Sequence, residues 1–112
     1  MYTYVAPLSK ERTGRQIPPE YHSVEFTLSA TIPAYQFKLW RSGSDSMFLL
    51  AKNNSGVLPQ LKEGRVLPMK YYDACAGGKT EIHETRIRQI VNETQGRFEG
   101  HCRIEIALID NN

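Results

Sequence analysis

Arg12 and Arg15 lie three residues apart, and a third arginine, Arg41, opens the polar run Ser42-Gly43-Ser44-Asp45-Ser46. A guanidinium binds phosphate bidentately and stacks on planar rings. With the hydroxyls of Ser42, Ser44 and Ser46, these arginines form a set suited to an anionic ligand that carries aromatic bases. The competing reading makes Arg12 and Arg15 ordinary solvated charges on a tail, which is the commonest fate of arginine. The two readings differ in whether the segment bearing Arg12 and Arg15 folds back onto the turn that follows Arg41.

Other constellations carry less. Asp73-Ala74-Cys75-Ala76-Gly77-Gly78-Lys79-Thr80 ends as a phosphate-binding loop does, but Asp73 stands where the motif needs its first glycine. An acid there repels phosphate, and a plain loop between strands explains the stretch. His22, His83, His101, Cys75 and Cys102 show no short ligand spacing of the structural zinc kind. His101 and Cys102 are adjacent, so on a strand they point to opposite faces; Cys102 reads as a small buried apolar residue. His83 beside Glu84 is as well explained by a solvated face as by acid–base work. No Gly-x-Ser-x-Gly elbow occurs. The expectation is a chain that is no enzyme and holds no metal or cofactor.

The elements that must position the arginines follow from periodicity. Residues 1–20 are broken by Pro7, Gly14, Pro18 and Pro19 and carry Lys10, Arg12 and Arg15, so they read as an irregular basic arm leading into a barrel domain over 21–112. Val24, Phe26 and Leu28 alternate with polar residues, as do Tyr35, Phe37 and Leu39, which makes two half-buried strands. Met47 to Ala51 is a short, mostly buried strand, and Val57 to Lys62 makes one helical turn. The run Arg65 to Tyr72 contains Pro68, which lacks a ladder donor; this places the strand at an edge or gives it a bulge. Residues 80–93 are ambiguous: His83, Ile87, Ile90 and Val91 share a helical face, while Thr85 and Ile87 fit a strand. Cys102, Ile104, Ile106 and Leu108 alternate cleanly in a last strand. Five or six short strands with turns between them indicate an all-β chain, a small antiparallel barrel or sandwich with at most one short helix.

The chain has 112 residues, enough for one domain of the usual ~100–150. With 40% hydrophobic and 23% charged residues it is neither disordered nor collagenous. A formal net charge of +2 is too small to indicate nucleic acid without a clustered basic face. No stretch approaches the ~20 apolar residues of a membrane span. The first residues lack the basic and apolar regions of a signal peptide, and two unlike cysteines make no disulfide framework. A cytoplasmic location is expected, and Asn53-Asn54-Ser55 and Asn92-Glu93-Thr94 then mark turns rather than glycosylation sites.

The layout resembles a PilZ domain from about Glu11 to Leu108. The resemblance rests on the basic arm, the Ser-rich turn and the strand start Gly64-Arg65-Val66-Leu67. It also rests on Phe37-Lys38-Leu39, Val57-Leu58-x-x-Leu61-Lys62, Met69-Lys70-Tyr71-Tyr72 and Gly96-Arg97-Phe98-x-Gly100-His101. It implies a PilZ-type β-barrel and a bacterial signalling role in binding cyclic di-GMP through an Arg-x-x-x-Arg arm and an Asp/Asn-x-Ser-x-x-Gly turn. Arg15 matches the second arginine of that arm, while Glu11 takes the first position with Arg12 beside it. In the turn Arg41 stands for Asp/Asn, Gly43 for Ser and Ser46 for Gly. A cation at the first turn position removes an acceptor for guanine N–H groups and leaves Arg12, Arg15 and Arg41 as a cationic surface. The expected ligand is cyclic di-GMP or a related anionic nucleotide. The alternative is a module that binds no nucleotide and acts as a protein–protein adaptor, with Trp40, Tyr71 or Tyr72 as aromatic anchors.

Overall fold

Short runs of alternating or mostly apolar side chains make most of the described chain extended. In the computed structural model, which describes residues 21–29, 34–41, 46–73 and 80–109, it forms seven strands. They are β1 (Tyr21–Phe26), β2 (Tyr35–Lys38), β3 (Trp40–Arg41), β4 (Met47–Lys52), β5 (Val66–Asp73), β6 (Thr80–Asn92) and β7 (His101–Leu108). A single 3-10 turn, Leu58–Gln60, falls inside the segment expected to make a helical turn. The strands make one antiparallel sheet in the order β2-β1-β5-β6-β7-β4-β3.

The ends of that sheet meet through one bent run. β2 pairs with β1 and β3 pairs with β4, and only Leu39 separates β2 from β3. Leu39 is buried and its N–H donates to the His22 carbonyl at 2.8 Å. The sheet is thereby a nearly closed small barrel, and closure removes the exposed edges that an open sheet leaves.

The interior is filled by alternate residues: Val24 and Phe26 of β1, Met47, Leu49 and Ala51 of β4, Leu67, Met69 and Tyr71 of β5, and Ile104, Ile106 and Leu108 of β7. Val57 and Leu61, flanking the 3-10 turn, join the same core. Pro68 does not mark an edge, because β5 lies between β1 and β6. It sits beyond Lys70, the last β5 residue in register with β1, so its missing donor falls where the strand has β6 alone beside it.

The ambiguous segment is strand from Thr80 to Asn92, and the helical signal has a specific cause. Ile87 pairs with Ile106 and Gln89 with Glu105, so Arg88 is the extra residue of a β-bulge. The bulge advances the phase by one residue. Ile87 is fully buried and Ile90, three residues on, packs against the same core. A spacing of three on one face imitates a helix. The same device operates in β1, where Tyr21 pairs with Asp73 and Ser23 with Tyr72, so that His22 is extra and Tyr21 and Val24 both point inward.

One polar pair lies wholly inside. The Tyr71 and Thr85 hydroxyls are 2.8 Å apart, and Thr85 also donates to the His83 carbonyl at 3.1 Å. Burial pushes the Tyr71 phenol well above its ordinary pKa, with the Thr85 bond opposing part of that rise. Thr85→Val leaves the phenol without this partner and is expected to cost about 1–3 kcal/mol, whereas Tyr71→Phe costs ~1 kcal/mol. The double variant should lose less than the sum, because both members of the pair are then gone. Urea unfolding of the four proteins measures the cycle; strict additivity would show that the bond contributes nothing.

Candidate functional site

Of the residues singled out for an anion, Arg12, Arg15, Ser42 and Ser44 lie outside the described residues, while Arg41 and Ser46 lie within them. Arg41 ends β3 and pairs with Met47 across β4. Its Nη2 donates to the Tyr21 carbonyl at 2.7 Å, where the chain enters β1. The arginine that opens the polar run is therefore bonded to the first residue of β1. Bulging at His22 is what turns the Tyr21 ring inward while its carbonyl meets the guanidinium.

Below that bond the barrel end is polar. The Tyr21 hydroxyl donates to Glu81 Oε1 and lies 3.2 Å from His83 Nε2, and His83 and Glu81 are themselves 3.1 Å apart. The Tyr21 and His83 rings both pack on Tyr71, with centroids 5.2 and 5.4 Å from it. His83 thus works with Glu81, two residues away on the same face, and not with Glu84, its neighbour on the opposite one.

Ser46 takes another direction. Met47 points inward and shares its side of the sheet with Arg41, so Ser46 leaves from the opposite face. It lines a cleft of about 190 Å³ with Arg88, Glu105 and Ala107. Arg88 is a cation that motif reading passes over. Its sequence signal is indirect: two isoleucines three apart in a strand require a bulge, and the bulged residue is re-aimed outward. The structure therefore separates the two described members of the expected set, with Arg41 bonded at the start of β1 and Ser46 in the cleft with Arg88.

The remaining candidates resolve as follows. Thr80 begins a strand and not a helix, so the segment after Asp73 joins two antiparallel strands and offers no helix N-terminus to a phosphate. Among the described residues no group of three His, Cys, Asp or Glu gathers as metal ligands. Cys102 is buried on β7 as expected. Tyr71 is fully buried and is no surface anchor. Tyr72 donates to Glu25 at 2.5 Å, a bond that raises its pKa. Trp40 alone of the three aromatic anchors stands in an outward cluster, stacked beside Phe48 with centroids 6.2 Å apart. No helix among the described residues is long and apolar enough to cross a membrane. Compared with known proteins, the chain matches no family model, no curated protein and no solved structure.

Proposed function

We propose that this chain is a non-catalytic cytoplasmic signalling module of PilZ type that binds cyclic di-GMP, or a related anionic nucleotide, where the N-terminal arm meets the barrel. The observation that carries the reading is the bond from Arg41 Nη2 to the Tyr21 carbonyl. It ties Arg41, the residue that opens the polar run, to Tyr21, which follows the basic segment carrying Arg12 and Arg15 in the sequence. In this reading the guanidinium groups of Arg12, Arg15 and Arg41 act on one ligand with two phosphates and two planar bases: they neutralise the first and stack on the second. Arg41 in this reading sets the direction of the arm, and Arg15 supplies the main contact.

Calorimetric titration of the full chain with cyclic di-GMP at moderate salt tests the proposal. Saturable binding with micromolar or tighter Kd is expected, and Arg15→Ala should weaken it about 10- to 100-fold, the worth of one charge-assisted contact. No heat at ligand concentrations far above micromolar, or an unchanged affinity in Arg15→Ala, rejects it.

A further inference from the structure

The outward face of β3 and β4 carries an aromatic cluster. Phe48 points away from the core, between inward Met47 and Leu49, yet it is only 4% exposed. Trp40 covers it from the paired strand β3, in near-parallel contact. Phe98 covers it from the loop between β6 and β7, edge-on to both rings, with centroids 5.3 Å from Trp40 and 5.8 Å from Phe48. That loop is held tightly. Gly96 and Gly100 take φ of +86° and +87°, Gly100 donates to the Glu93 carbonyl, and Asn53 donates to the Gly100 carbonyl. It therefore presents Arg97 and Phe98 in a fixed position over the sheet.

Two cations flank the cluster. Lys38 Nζ lies 4.1 Å from the Trp40 ring centroid, and the Arg97 guanidinium lies 5.4 Å from Trp40 and 5.2 Å from Phe98. Both side chains are exposed, and neither forms an ion pair with a described residue. Arg103, over Phe48, differs: Glu93 and Glu105 already neutralise it. The face thus offers half-buried aromatic area between two positive charges that no described carboxylate pairs.

We propose that this face docks an acidic segment of a partner protein, with carboxylates on Lys38 and Arg97 and an apolar side chain against Trp40 and Phe98. Charge complementarity selects the occupant. A positive rim around an aromatic centre steers and holds an acidic chain and repels a basic one. A single-stranded nucleic acid fits less well, because base stacking needs an open ring face, and Trp40 already carries Lys38 over its ring and Phe48 beside it. The proposal is independent of nucleotide binding at the arm root.

Trp40 is the chain's one tryptophan, so its emission reports this face directly. Random dodecapeptides displayed on phage are selected against the immobilised full-length protein, and the most enriched peptide is synthesised and titrated while Trp40 fluorescence is followed. The expected peptide is rich in Asp and Glu around an apolar or aromatic residue. It should shift the emission saturably, and the exposed double reversal Lys38→Glu/Arg97→Glu should weaken it at least tenfold with the circular dichroism spectrum preserved. Selection that enriches nothing, or enriches non-acidic sequences, overturns the proposal. So does binding that leaves Trp40 emission unchanged or survives the double reversal. A 15-residue oligothymidylate that shifts Trp40 emission more tightly than the selected peptide assigns the face to nucleic acid and overturns it as well.

Discussion

Ile104→Ala is expected to destabilise the barrel by about 2–5 kcal/mol, a loss large enough to threaten folding of a small domain. Ile104 is fully buried and lies opposite Leu49 of β4 on one side and Ile90 of β6 on the other. Truncation opens a cavity bounded by strands on both sides, each hydrogen-bonded to β7, so the walls cannot collapse to fill it. Equilibrium urea unfolding checks the value through the midpoint, with the slope unchanged if the native state keeps its compactness. A loss below ~1 kcal/mol would mean that β7 is not central to the core.

The second large effect concerns single-residue deletions in β6 and separates two neighbouring sites. Deleting Arg88 removes the bulged residue and leaves Ile87, Gln89 and Ile90 in plain alternation, with their partners Ile106, Glu105 and Ile104 unchanged. That variant should fold with only a modest loss. Deleting Arg86, two residues earlier, instead brings Arg88 into the inward position opposite Ile106 and turns Ile87 out. A one-residue slip exchanges the faces of a strand, and here it exchanges a fully buried isoleucine for a cation inside the barrel. Burial of an unpaired charge costs several kcal/mol beyond the lost apolar burial, so the Arg86 deletion should not fold. Soluble yield and thermal melts of the two proteins decide it, and equal tolerance of both deletions would remove the bulge from the account of β6.

The two proposed binding regions use different physical means. At the proposed nucleotide site the guanidinium of Arg41 is bonded to the Tyr21 carbonyl, and the proposal assigns the main ligand contact to Arg15. On the β3–β4 face the aromatic rings are preassembled by the glycine-pinned loop and the cations stand at the rim. A loss of nucleotide binding in Arg15→Ala with peptide binding intact, and the reverse in Lys38→Glu/Arg97→Glu, is the pattern expected of separate sites.

Local pattern was enough to determine the all-β class and most of the strands. Alternation in β1, β2 and β7 and the apolar run of β4 are properties of neighbouring residues, because one face of each strand must be apolar whatever it packs on. Cys102 as a buried residue was legible for the same reason. Other features were decided only by tertiary structure. Thr80–Asn92 is a strand because bulging at Arg88 lets Ile87 and Ile90 share the core, and a bulge exists only against the partner strand that it mismatches. Pro68 lies in an interior strand because β1 ends before reaching it, which depends on register and not on the proline. The candidate site divides in the same way. Arg41 and Ser46 are five residues apart and look like one set, but pairing of Arg41 with Met47 sends them to opposite faces of the sheet. The role of Arg41 at the arm root then comes from a bond to Tyr21, twenty residues earlier in the chain. Phe48, Trp40 and Phe98 come from three separate segments, and no spacing rule could have joined them before the barrel closed.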